Sequence, residues 1–237
     1  MRIKLIPNPE KPWAVELADE LKYYLEKHEH SVTNSGADAT ICIGGDGTIL
    51  HSNHVGLLEG SVIGIGSNSS YICQLTRSTW KDRLAELLKG NNTNIMSLSA
   101  KINDKRFSAI NDFVIHCADY RVVQIEVEIG DEKHLFLGDG IILSSAIGTA
   151  GYAYSAGADK LEPKERKISV VPICPYRRAF SPVILNEDAE ITIRVNRECA
   201  FIVDGISAGS LKHGSMLSVQ KGKDLMFYEG VGFYKQG

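Results

Sequence analysis

The stretch "ATICIGGDGTILHS", residues 39 to 52, decides how the first part of the chain folds. Ala39 to Ile43 have the pattern of a buried strand, and they run directly into Gly44-Gly45-Asp46-Gly47-Thr48. A strand that ends in glycines with a helix behind it puts backbone N–H groups and the positive end of that helix at the carboxyl edge of a sheet. That edge is where open α/β sheets bind ligands. Glycine lets the backbone come close to a phosphate and adopt positive φ. No lysine follows at the Gly-x-x-x-x-Gly-Lys spacing, so the stretch is not a Walker A loop. Asp46 would repel a phosphate, but it suits a substrate hydroxyl or a magnesium ion beside one. The plain alternative is a strand-to-helix turn with Asp46 as its N-cap.

Around this stretch, strand and helix signals alternate. "RIKLI" (2 to 6) is a strand broken by Asn8-Pro9, and Ala14, Leu17, Ala18, Leu21, Tyr24 and Leu25 follow at helical spacing. In residues 48 to 58, Leu50, His54, Val55 and Leu58 fall near one helical face, and "SVIGIG" (61 to 66) is a third strand. Ser78 is placed to cap a helix with Trp80, Leu84, Leu87 and Leu88 on its apolar face, stopped by Gly90. Such alternation predicts a Rossmann-like parallel sheet covered by helices.

From about residue 95 the period changes to two. "RVVQIEVEIG" (121 to 130) sets Val123, Ile125, Val127 and Ile129 on one face before a turn at Gly130-Asp131. "AEITIRVN" (189 to 196) and "CAFIVDG" (199 to 205) read as neighbouring antiparallel strands, and Tyr152 and Tyr154 alternate on a possible strand. The expected organisation is an α/β domain over 1–94 and a β-rich, sandwich-like domain over 95–222. The segment 223–237 is expected to pack back on the first domain.

Composition excludes several function classes. The 237 residues are 43% hydrophobic and 23% charged, with net charge -3 and mixed signs, which gives no footprint for nucleic acid. No apolar run approaches the about 18 residues of a membrane span, and the start of the chain lacks a signal-peptide core, so a cytoplasmic protein is expected. The five cysteines lack a Cys-x-x-Cys pair and read as reduced, mostly core residues. His51 and His54, without a third ligand, read as surface or core residues. "DKLEPKERK" (159 to 167) balances its charges and reads as a solvated loop.

"GGDGT" at 44 to 48 resembles the signature of the NAD kinases and of the wider superfamily that includes diacylglycerol and sphingosine kinases. The downstream stretch "DGIILSSAIGTAGYAYSAGA" (139 to 158) is similar to the NAD kinase run of Asp-Gly, a strand, Gly-Ser-Thr-Ala-Tyr and Ser-Ala-Gly-Gly. "VVPICPY" (170 to 176), "SPVIL" (181 to 185), "VDG" (203 to 205) and "NDFVI" (111 to 115) stand where that family has Thr-Pro-Ile-Cys-Pro-His, its next strand, its late Asp-Gly and its Asn-Glu. Asp112 thus replaces a glutamate and Ala150 a threonine.

The resemblance implies transfer of a phosphoryl group from ATP or inorganic polyphosphate, with Mg²⁺, to the 2′-hydroxyl of the adenosine ribose of NAD, giving NADP. It implies Asp46 as general base and Gly44, Gly45, Gly47 and Thr48 as holders of the donor phosphates. Asn111 and Asp112 would hold ribose and base groups of NAD. Thr149, Ala150, Gly151, Tyr152 and Ser155 would form the adenine and ribose wall, and Asp139 would face the nicotinamide amide. It also implies a homodimer or homotetramer. The alternatives are a diacylglycerol-type lipid kinase, which shares the GGDGT turn, and a non-catalytic NAD-binding regulator.

Overall fold

Ala14, Leu17, Leu21 and Leu25 recur every three or four residues, and this stripe lays helix α1 (Pro12–Lys27) on the first sheet. Pro12 starts the helix at the position where its missing N–H costs nothing. The computed structural model describes residues 1–119 and 121–229, so residues 230–237 of the expected C-terminal segment lie outside the described residues. The chain divides into two units, Met1–Ile95 with the C-terminal segment from Leu225, and Met96–Asp224.

The first unit is α/β. Its sheet runs in the order Ser31–Val32, Arg2–Pro7, Ala39–Ile43, Ser61–Gly66, Leu225–Tyr228 and Asn92–Ile95, with Leu75–Thr76 also paired to Ser61–Gly66. All these pairings are parallel except the one made by Asn92–Ile95. Every residue of Ala39–Ile43 and of Ser61–Gly66 is buried, which is the pattern of strands covered on both faces. Helices α2 (Asp46–His54) and α3 (Trp80–Leu87) complete the unit.

Helices α2 and α3 differ locally from the sequence pattern. Helix α2 buries Thr48, Ile49 and Ser52, whereas Leu50 and His54 are half-buried and Val55 is exposed. Ser52 sits inward because its hydroxyl donates to the Thr48 carbonyl at 2.7 Å, so a polar residue can face the sheet that hydrophobicity alone would assign to Leu50. In α3 the N-cap position is Thr79, not Ser78. The Thr79 hydroxyl accepts the Thr76 N–H of the preceding turn at 3.0 Å.

The second unit is a sandwich of two six-stranded sheets. One has the order Glu132–Gly138, Val123–Ile129, Ile191–Val195, Met216–Lys221, Leu98–Ile102 and Lys105–Ala109. The other runs Val183–Asn186, Lys167–Ile173, Gly140–Ser145, Asp112–Cys117, Cys199–Val203 and Ile206–Leu211. Ile191 and Cys199 therefore begin strands of different sheets, which corrects the neighbouring-strand reading. Both strands turn their alternate residues, Ile191, Ile193 and Val195 against Cys199, Phe201 and Val203, into one core, and residues 196–198 carry the chain across it.

Tyr152 and Tyr154 also depart from expectation, because they lie on the short helix α4 (Tyr152–Ser155) and both are exposed. Arg166, expected in a solvated loop, bridges Glu187 at 2.6 Å and Asp224 at 3.1 Å, and with Lys221 it holds the Glu187 carboxyl down at about 2. Among the described residues no helix is long and apolar enough to cross a membrane. The five cysteines are free; Cys42, Cys73 and Cys199 are buried and Cys174 is exposed.

Candidate active site

The glycine turn is built by its neighbours. Gly44 and Gly45 have φ of 146° and 105°, in the region that L side chains avoid. A Cβ on Gly44 would also meet the Thr48 hydroxyl and, at 2.6 Å, Cβ of Asn8. The N–H groups of both glycines donate to the Ile65 carbonyl, at 2.9 and 3.2 Å. Gly44 and Gly45 therefore do not present their own N–H groups to a phosphate, as the sequence reading expects. The orphan N–H groups of the first turn of α2, on Asp46 and Gly47, are the ones left to do so.

Asp46 is the first residue of α2 and not its cap: Gly45 is the N-cap, and no side chain caps this helix. The Asp46 carboxylate instead holds a neighbouring loop. Its Oδ2 accepts the Tyr71 N–H at 2.6 Å, and its Oδ1 accepts those of Ile72 at 2.9 Å and Cys73 at 3.2 Å. Oδ2 thus carries one of the three backbone bonds and Oδ1 two, and the Cys73 side chain is hydrogen-bonded to the same carboxylate. This anchoring escapes a sequence reading because residues 46 and 71–73 are joined only through the fold. Burial and the Asp46 charge push the Cys73 thiol far up, which makes it inert. The Thr48 hydroxyl is buried with no hydrogen-bond partner. Beside the turn, a cleft of about 450 Å³ is lined by Gly66, Ser67, Asn68, Thr76, Arg77 and Ser78.

A second cluster forms in the sandwich, on the strand Asp112–Cys117 and the turns around it. The Asp204 carboxylate accepts the N–H groups of Ile110 at 2.9 Å, Asn111 at 2.7 Å and Asp112 at 3.1 Å. The late Asp-Gly is therefore a clamp on the Asn111–Asp112 pair, with Asp204 held at φ 49°. Gly148 lies on the Asn111 backbone; a Cβ there would collide with the Asn111 carbonyl oxygen and come within 2.7 Å of its carbon. Asn111 Oδ1 is buried and unpartnered.

Asp112 is buried, and its carboxyl is pushed up to about 7 by that burial and then by the Asp204 charge. Tyr152, 44% exposed, has its phenol raised by burial and then by Cys174, Asp112 and Asp139, which places these four groups in one field. Asp139 lies between the strands Glu132–Gly138 and Gly140–Ser145, where the chain passes from one sheet to the other; its N–H donates to Ile173 O at 2.9 Å and its carbonyl accepts from Cys117. Ala150 is half-buried, and Gly151 and Ser155 are exposed.

Thr149 turns its side chain inward. It is 0% exposed, its hydroxyl donates to Ala146 O at 2.6 Å and accepts the Leu161 N–H at 2.9 Å, so the hydroxyl ties the 158–161 loop to this turn. Among the described residues no three His, Cys, Asp or Glu side chains gather to hold a metal ion.

The profile of the ATP-NAD kinase C-terminal domain matches residues 110–227. The NAD kinase of Chlorobium phaeobacteroides is 27% identical over 95% of this chain and 90% of its own length. That of Thermomicrobium roseum is 29% identical over 95% of this chain and 85% of its own. In fold, the chain superposes on an NAD kinase from Archaeoglobus fulgidus in complex with ATP with a TM-score of 0.83 at 18% identity, covering 99% of this chain and 96% of that one. Yeast NADH kinase complexed with NADH gives a TM-score of 0.82 at 18% identity, over 98% and 84%. On the profile match and on relatives aligned along nearly its whole length, the chain belongs to the NAD kinase family.

Proposed function

We propose that this chain transfers the terminal phosphoryl group of ATP to the 2′-hydroxyl of the adenosine ribose of NAD, giving NADP and ADP. The observation that carries the reading is Asp46, fixed at the head of the glycine turn by three backbone N–H groups, two on Oδ1 and one on Oδ2. A ribose hydroxyl is a weak nucleophile, and Oδ2, the oxygen with the fewer backbone bonds, accepts its proton as the hydroxyl oxygen attacks phosphorus. The N–H groups of Asp46 and Gly47 and the Thr48 hydroxyl receive donor phosphate oxygens, while Gly44 and Gly45 keep the approach clear. Asn111 and Asp112 hold ribose and base groups of NAD. Ala150, Gly151, Tyr152 and Ser155 line the adenine side, and Asp139 meets the nicotinamide amide.

Mg²⁺ characteristically takes one or two carboxylates plus substrate phosphates and needs no protein cage. The site fits that mode if donor phosphate oxygens and water supply the ligands, which would leave Asp46 to the ribose proton. The ion would neutralise phosphate charge. Exposed apolar side chains on edge strands, Leu135 and Leu137 on one sheet and Ile184 on the other, support a homodimer or homotetramer. A cytoplasmic location completes the reading.

Incubation with NAD, ATP and Mg²⁺ is expected to yield NADP and ADP in equal amounts, with no phosphorylation of diacylglycerol. ATP consumed without NADP overturns the reading.

A further inference from the structure

No lysine follows the glycines in sequence, yet the fold brings one to them. Asn8 donates its N–H to Ile43 O at 2.7 Å, at the end of the strand that feeds the glycine turn. The Asn8 side chain accepts the Glu10 N–H at 2.9 Å, and the Asn8 carbonyl accepts the Lys11 N–H at 3.1 Å. These three bonds fold residues 8–11 into a tight turn clamped on Ile43, with Lys11 as the N-cap of α1. From there the Lys11 ammonium donates to the Gly44 carbonyl at 2.5 Å. A Cβ on Gly45 would lie 4.0 Å from Lys11 Nζ and 3.3 Å from Ser70 Oγ, so the ammonium lies close over the bare face of Gly45.

Among the described residues no carboxylate pairs with Lys11. On the same turn, Thr48 is 6% exposed, its hydroxyl has no partner, and it is aimed at Gly44, being the first atom that a Cβ there would meet. Buried polar groups normally find partners, and an ammonium gains most from an ionised acceptor. A cation satisfied only by a carbonyl, an orphaned hydroxyl and two orphan helix N–H groups together describe a turn that lacks an anion.

The geometry points to Lys11 as a ligand of the donor's triphosphate, beside the Thr48 hydroxyl. This rests on the phosphotransferase reading above. In the transfer, the bond from the terminal phosphorus to its bridging oxygen breaks, the bond to the ribose oxygen forms, and the hydroxyl proton passes to Asp46. Lys11 takes no part in the proton transfer and neutralises charge on the non-bridging oxygens.

Sodium tripolyphosphate, which has three phosphates and neither sugar nor base, is the probe. Calorimetry is expected to show that Lys11→Met weakens tripolyphosphate binding by about 10- to 100-fold, with a like rise in KM for ATP. NAD affinity should stay within about threefold of the parent, and Lys11→Arg, which keeps the charge, within about fivefold of it for tripolyphosphate. If Lys11 only props the Gly44 carbonyl, Lys11→Met either leaves tripolyphosphate affinity alone or lowers it together with NAD affinity and the urea midpoint; each result overturns the assignment. The two readings fail separately. A chain with Lys11-dependent tripolyphosphate binding that makes no NADP keeps the anion site and loses the reaction. One that makes NADP with a KM for ATP indifferent to Lys11→Met keeps the reaction and loses the assignment.

Discussion

Asp112 and Asp204 are tied to each other in both directions: the Asp204 carboxylate accepts the Asp112 N–H at 3.1 Å, and the Asp112 carbonyl accepts the Asp204 N–H at 3.0 Å. Their side chains are therefore held near one another although like charges repel. Asp204 is compensated by three N–H donors, and the cost falls on Asp112.

That cost sets a pH dependence. Burial and the Asp204 charge push the folded Asp112 carboxyl up to about 7 from its ordinary 3.8, so its contribution is fully favourable below about pH 4 and is lost as pH rises through 7. The difference corresponds to at most about 4 kcal/mol at pH 8. Asp112→Asn, which cannot ionise but must still bury an amide, is expected to be more stable than the parent by about 2 kcal/mol at pH 8 in urea titrations, to match it at roughly pH 5 to 6 and to be the less stable of the two near pH 4. If Asp112 also hydrogen-bonds a ribose hydroxyl, the same variant should lose about 1 to 3 kcal/mol of NAD affinity by calorimetry. A gain in stability with unchanged NAD affinity would remove Asp112 from the binding residues.

Asp204 is expected to behave oppositely. Asp204→Ala strips the acceptor from three consecutive N–H groups, two of them on the buried residues Ile110 and Asp112, and it places alanine at φ 49°. A loss of about 3 kcal/mol or more in the urea-derived stability follows. Asp204→Asn tolerates that φ and keeps one acceptor oxygen, so it should recover part of the loss. Equal stabilities for Ala and Asn would mean that the clamp contributes nothing.

Local periodicity made most of the fold legible. The stripe of α1, the all-buried strands Ala39–Ile43 and Ser61–Gly66, and the alternation of Val123–Ile129 are written in neighbouring residues. Sheet membership is not. The pattern of Ile191–Val195 and Cys199–Val203 is the same whether two strands pair or face each other across a core. In the site, the GGDGT turn is visible as a string, but its chemistry depends on partners 25 or more residues away. The loop that locks Asp46, the clamp of Asp204 on Asn111 and the approach of Lys11 to Gly44 all arise from tertiary contact and leave no local trace.

Turnover is expected to require a divalent cation. Donor phosphates carry more negative charge than a few N–H groups and one ammonium neutralise, so excess EDTA should abolish NADP formation and Mg²⁺ or Mn²⁺ should restore it. Since no protein cage of three His, Cys, Asp or Glu side chains is present among the described residues, EDTA should leave the urea midpoint of the ligand-free protein unchanged. Full activity in EDTA would exclude this role of the metal, and a shifted midpoint would show that the protein itself holds an ion.

The sharpest test falls on Asp46, which has two duties that substitution can separate. As a base it accepts the ribose proton, a contribution typically worth about 10² to 10⁴ in rate. As an anchor it holds Tyr71, Ile72 and Cys73, and an amide retains only one acceptor oxygen for those three donors, with its NH₂ turned against the rest. Asp46→Asn should therefore lower stability by about 1 to 3 kcal/mol, seen as a shifted urea midpoint. Under conditions where the variant is fully folded, turnover should still fall by about 10² to 10⁴ while NAD affinity by calorimetry changes less than about tenfold. The two losses need not scale together, because the first depends on the loop and the second on proton transfer. A variant that shows the stability loss yet turns over within about threefold of the parent would leave Asp46 as an anchor alone and require another base for the reaction.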